Sequence, residues 1–166
     1  MPDDLYDQDI FAWSERQSAL LRRAAAGERV NDLDWPHIIE EIEDVGGAAL
    51  RSVHSLLARA IEHLLKLHGW PDSDATEHWR RETRAFLRDA ARAFTPGMRQ
   101  LIDIDELYRL AASAVAEDTM FGRPPGPLPA DQPFTLEELL ARPPDIGTLL
   151  GKLRAADGRD GAANHA

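Results

Sequence analysis

The chain has 166 residues, with 29 acidic side chains against 19 basic ones, a formal net charge of −10 with histidines neutral, and no cysteine. That length suits one domain with a real core, and the lack of cysteine excludes disulfides, thiolate nucleophiles and Cys-ligated zinc or iron–sulfur centres. The acid excess works against sequence-independent binding to nucleic acid or anionic lipid, both of which recruit clustered Lys and Arg. No uncharged run approaches the roughly 20 residues of a membrane helix, and the acidic start Met1-Pro2-Asp3-Asp4 does not read as a signal peptide. A soluble, cytoplasmic protein without membrane contact is expected.

From Leu5 to about Ala26, Tyr6, Ile10, Trp13, Leu20 and Leu21 recur at helical spacing, with the polar Gln17 completing the row. Gly27 stands where a C-terminal cap belongs. In Asp34-Trp35-Pro36-His37 the aspartate is placed to cap a second helix and the proline falls in its first turn, where a missing N–H does no harm. Trp35, Ile38, Ile39, Ile42 and Val45 predict its buried stripe, and Leu50, Val53, Leu57, Ile61 and Leu64 resume the same period beyond Gly46-Gly47. Two helices, or one bent at the glycines, both satisfy this pattern.

Gly69-Trp70-Pro71 is a break. Asp74 with Glu77 has the form of a capping box, followed by the apolar face Ala75, Trp79, Phe86, Ala90 and Ala93 and a stop at Thr95-Pro96-Gly97. Leu101, Ile104, Tyr108, Ala111, Ala112 and Val115 predict a further helix between Met98 and about Glu117. No segment alternates in the manner of a strand, so the fold class is all-α: a bundle of four to five amphipathic helices over residues 1–122. Residues 123–133 hold five prolines and predict an extended arm. Thr135 with Glu138 then caps a short helix whose leucines dock on the bundle, closing the arm at residue 141. Residues 142–166 are expected to be a flexible tail.

The densest acidic segment is Asp32, Asp34, Glu40, Glu41, Glu43 and Asp44, with no Lys or Arg among them. Helical carboxylates plus histidine are the raw material of a metal site in a bundle, and the candidate ligands are Glu40, Glu43, His63 and His78. No Glu-x-x-His motif supports the set. His63 shares a row with Leu56, Ala60 and Leu67, which predicts a half-buried ring that needs a partner, while His78 lies one turn before Glu82. The competing reading is structural: Arg80, Arg81, Arg84, Arg88, Arg92 and Arg99 make a basic helix face, so Glu41 or Glu43 would pair with Arg80 or Arg84. All four tryptophans are expected to be core anchors, and exposure of Trp70 in its loop would mark a binding surface. Neither Gly-x-Ser-x-Gly nor a Gly-rich phosphate loop is present.

Three functional readings follow. The first is a non-catalytic module that binds a protein partner or forms a homodimer, with no cofactor. The alternative is a metal-dependent hydrolase holding zinc, manganese or iron at Glu40, Glu43, His63 and His78, with a bound water as nucleophile. An RNA adaptor acting through the arginine-rich helix is disfavoured by the global charge.

Leu5-Tyr6-Asp7-Gln8-Asp9-Ile10-Phe11-Ala12-Trp13, Asp32-Leu33-Asp34-Trp35, Glu40-Glu41-Ile42-Glu43-Asp44-Val45-Gly46 and His63-Leu64-Leu65-Lys66 together resemble the bacterial family known as domain of unknown function 29. The likeness continues through Trp79-Arg80 and Pro96-Gly97-Met98 to Phe134-Thr135-Leu136-Glu137-Glu138-Leu139-Leu140, covering about residues 5–141. Gly47-Ala48-Ala49 is less charged than the family's usual stretch, and the tail after Arg142 has no counterpart in it. The resemblance implies an all-helical intracellular domain of bacteria and no established activity.

Overall fold

A computed structural model describes residues 3–120 and 122–158. Their regular structure is helical: α1 (Asp3–Gln8), α2 (Ile10–Ala25), α3 (Trp35–Gly69), α4 (Thr76–Ala93), a 3₁₀ segment (Pro96–Leu101), α5 (Ile104–Glu117), α6 (Leu136–Leu139) and α7 (Ile146–Ala156). An isolated bridge between Met120 and Arg123 is the nearest approach to a strand among these residues. The chain divides into two compact units, Met1–Ala48 and Ala49–Ala166, a boundary of which composition gives no sign. It falls inside α3, which runs unbroken through Gly46-Gly47 and so settles the choice in favour of one continuous helix.

In the first unit Asp9 caps α2 by accepting the Ala12 N–H at 2.9 Å. Gly27, at φ +87°, takes the left-handed conformation that ends α2, with its N–H bonded to the Ala24 carbonyl. The buried side chains described there are Trp13, Gln17 and Ile38. Gln17 earns its place in an apolar row because its Oε1 accepts the Asp34 N–H at 3.0 Å, just before α3 begins.

The second unit carries the apolar core. Val53, Leu57, Ile61, Leu64 and Leu65 of α3 pack with Trp79, Leu87 and Ala90 of α4 and with Tyr108, Ala111 and Val115 of α5. The proline-rich stretch is non-helical and tied down by hydrogen bonds: Gly126 N–H to the Gly69 carbonyl (2.8 Å), Trp70 Nε1–H to the Arg123 carbonyl (3.1 Å) and Tyr108 Oη–H to the Pro129 carbonyl (2.8 Å). Gly69 is required at the first of these contacts, since a Cβ there would lie 2.8 Å from Pro125 Cβ. α6 starts in the capping box formed by Thr135 and Glu138.

Three expectations are corrected. Asp74 and Glu77 do not cap α4, whose N-cap is Ala75 with no side-chain hydrogen bond; Ser73 instead bonds the Ala75 N–H through its Oγ. The stretch after 142 is not a loose tail, because Asp145 caps α7 and Ile146, Leu149, Leu150 and Leu153 are buried; residues 159–166 of that expectation lie outside the described residues. The first part of α3 does not bury the expected stripe. Ile38 is buried, but Trp35, Ile39, Ile42 and Val45 are exposed.

Candidate functional site

The start of α3 is held by an aromatic and carboxylate cluster. Asp34 Oδ2 accepts from Trp13 Nε1–H at 3.0 Å and from His37 Nδ1–H at 2.8 Å. Tyr6 stacks on His37 with ring centroids 3.9 Å apart and 17° between planes, and meets Trp13 edge-on at 5.0 Å. Its hydroxyl donates to Glu41 Oε1 at 2.7 Å. The electrostatics follow from these contacts. Burial pushes the Asp34 carboxyl up, but the hydrogen bonds from His37 and Trp13 outweigh it and hold the group below its usual range. His37 is raised by the Asp34 hydrogen bond. The Tyr6 phenol is pushed up to about 12, first by its bond to Glu41 and then by burial. The cluster therefore locks the helix start, with Asp34 shifted toward its ionised form and His37 toward its protonated form, and the ring presents Nδ1–H because a carboxylate can only accept.

Beside this lock lies uncovered apolar surface. Trp35 is 55% exposed, Ile39 52%, Ile42 68% and Val45 73%. At 100° per residue, Trp35, Ile39 and Ile42 fall within about 60° of one another, Val45 extends the strip on one side, and Glu43 borders it on the other. Ile38 falls between Ile42 and Val45 on the same wheel but at least one turn nearer the helix start, and it alone of the expected stripe is covered. Ile10, Phe11 and Leu21 of α2 are exposed as well, so seven of the nine exposed large hydrophobics among the described residues belong to the first unit. The same unit holds twelve acidic residues against four basic ones, and no Lys or Arg occurs between Arg29 and Arg51.

In the second unit, His63 of α3 and His78 and Glu82 of α4 converge. His63 Nε2 lies 2.7 Å and His78 Nε2 3.3 Å from the same oxygen, Glu82 Oε2. The carboxylate accepts only, so both rings present Nε2–H, and His78 Nδ1 in turn accepts from Arg81 at 3.2 Å. The hydrogen bond from His63, followed by the charge of His78, holds the Glu82 carboxyl below its usual range against burial. Phe86 packs its ring edge-on to His63 at 5.5 Å and lies under the Arg59 guanidinium at 5.9 Å.

Of the four expected metal ligands, His63 and His78 are brought together, but on Glu82. Glu40 and Glu43 are exposed residues of the first unit. Among the described residues no His, Asp or Glu side chains are grouped so as to hold a metal ion. Glu41, expected to pair with Arg80 or Arg84, accepts from the Tyr6 hydroxyl within its own unit. Trp70 is buried, whereas Trp35, expected in the core, is the exposed tryptophan. Glu82 was legible only as the i, i+4 neighbour of His78; its bond to His63 depends on the packing of α4 against α3, for which periodicity carries no register. The exposed strip was legible as a strip, and only its covering was misjudged. Among the described residues no helix is long and apolar enough to cross a membrane.

A family model described as "Domain of unknown function DUF29" matches residues 5–143. Among solved structures, an α-helical protein of unknown function from Rhodospirillum rubrum is similar to this chain, with a TM-score of 0.66 and 29% sequence identity over 89% of this chain and 96% of that one. No curated protein matches.

Proposed function

Because the chain belongs to the DUF29 family, whose description names no activity, we propose from its geometry that it is a non-catalytic interaction module acting through the exposed apolar face at the start of α3. The observation that supports this is the strip Trp35, Ile39, Ile42 and Val45, solvent-facing along about three turns of a well-anchored helix. Isolated exposed apolar residues are ordinary, but a row at helical spacing is what a partner helix or a second copy would cover. The first unit also buries little of its own. Trp13 and Ile38 are its buried apolar side chains among the described residues, so covering the strip would supply interior that the unit lacks.

The test compares the native chain with the doubly substituted Ile42→Gln, Val45→Gln chain in cells that normally express it. The wild-type chain is expected to run on size exclusion as an assembly larger than the monomer, and the variant as the monomer. Identical elution of both as monomers would overturn the proposal. So would near-stoichiometric zinc, manganese or iron in protein purified without a metal-affinity tag, if that metal disappears in the Glu43→Ala, His63→Ala variant.

A further inference from the structure

We infer that the occupant of the α3 strip is an amphipathic helix of a partner protein that carries Lys or Arg beside its apolar residues; this rests on the interaction-module reading and adds the chemistry of the partner. The shape of the face comes first. Trp35, Ile39, Ile42 and Val45 span eleven residues of regular α-helix, about 15 Å of axis. Their spacing matches the anchor pattern by which one helix lies along another. A flat or extended ligand would not use a row so narrow.

Charge then selects among helices. The first unit has twelve acids against four bases, and Glu43 stands at the border of the strip with Glu40 and Asp44 farther round the same helix. The Tyr6 hydroxyl donates to Glu41 and is itself held protonated, so it is uncharged and leaves the negative charge of that carboxylate in place. A second copy of the chain would bring a further twelve acids to the contact and place like charges opposite each other around the strip, which opposes self-association. An anionic bilayer is opposed on the same ground. A helix with basic flanks meets complementary charge at the Glu43 border and in the acid excess of the unit, and gains on-rate and register as well as attraction.

The probe is a fluorescent 15-residue helical peptide of leucine and lysine with its leucines at i, i+3, i+4 and i+7, titrated into the full chain and read by anisotropy. Saturable one-to-one binding is expected. It should weaken by about tenfold or more with Ile42→Gln and Val45→Gln together, as befits the loss of two anchors. It should also weaken between about 0.01 M and about 1 M NaCl as the Debye length falls from about 30 Å to about 3 Å, and the Glu40→Gln, Glu43→Gln chain should show a shallower salt dependence. The matching leucine and glutamate peptide is expected not to bind. Equal binding of the two peptides, or lysine-peptide binding that ignores the Ile42 and Val45 substitutions, overturns the inference. If the lysine peptide fails while the chain forms a dimer that those substitutions dissociate, the basic helix is refuted and the interaction module stands. If the peptide fails and no strip-dependent assembly exists in cells, both fall.

Discussion

Replacing Leu153 with alanine distinguishes an integral α7 from a segment that merely rests on the surface. Leu153 is fully buried, and Ile146, Leu149 and Leu150 share its face. Burying a side chain of this size is worth about 1.5–3 kcal/mol relative to leaving it in water, so the four together represent a large part of a typical domain's stability of about 5–15 kcal/mol. The truncation leaves a cavity that a well-packed surround fills only in part, and Leu153→Ala should cost about 2–5 kcal/mol. For a chain of this size that lowers Tm by about 4–20 °C. The exposed neighbour Arg154, changed to alanine, should stay within about 0.5 kcal/mol of wild type. Urea unfolding followed by circular dichroism measures both, and an unchanged m-value confirms that the effect is on stability. If the two variants melt together, α7 is not part of the core and the apolar face assigned to it is wrong.

Gly69→Ala should destabilise by about 1–3 kcal/mol, because the new methyl meets the rigid ring of Pro125 rather than a side chain that can swing away; thermal unfolding checks it, and a neutral result would remove the close approach of the proline-rich stretch to the end of α3. Glu82→Gln should cost about 1 kcal/mol at neutral pH, a modest figure because the carboxylate is 37% exposed. Since the Glu82 carboxyl is held low, its contribution is complete above its ordinary pKa of 4.5 and is lost as pH falls through the lowered value. Wild type and variant should therefore converge in acid. At the start of α3, His37 is raised, so its contribution is complete below its ordinary 6.5 and fades as pH rises through the elevated value. Asp34 is lowered, so its contribution is complete above its ordinary 3.8 and fades as pH falls through the depressed value. The two windows overlap between about pH 4 and 6.5. The Trp13 indole N–H resonance should be sharpest there, and a pH-independent signal would dissolve the Asp34–His37–Trp13 lock.

Helical periodicity carried most of the fold. It located α4 and most of α2 and α5, although the expected Leu5–Ala26 helix is divided at Asp9 and the expected helix from Met98 begins as a 3₁₀ segment, and it picked out Gln17, whose place in an apolar row is explained by a backbone partner. It could not fix α7, because Gly147, Gly151 and a polar surround dilute the leucine pattern, and helix burial there depends on neighbours far away in sequence. Nor could it foresee exposure. Trp35, Ile39, Ile42 and Val45 have the period of a buried stripe, and amphipathicity says that a face seeks cover without saying whether the same chain supplies it. The Asp34 cap was readable as a cap and His37 stands within reach three residues on, but the Trp13 donor that shares the carboxylate was not readable, since it comes from a separate helix. His63 was correctly expected to need a partner, and the partner arrived by tertiary packing.

A single 35-residue helix with a rich interior along one stretch and a bare one along the other has a consequence for how the molecule breathes. Backbone hydrogen bonds around Val53–Leu67 are shielded by the core, whereas the turns from Pro36 to Ala48 have less apolar cover and contain two glycines. Hydrogen exchange is therefore expected to be faster in the Pro36–Ala48 turns than around Val53–Leu67. A partner seated on the proposed strip should raise the threshold for fraying there, so its occupancy is expected to show as slower exchange of those dozen amides.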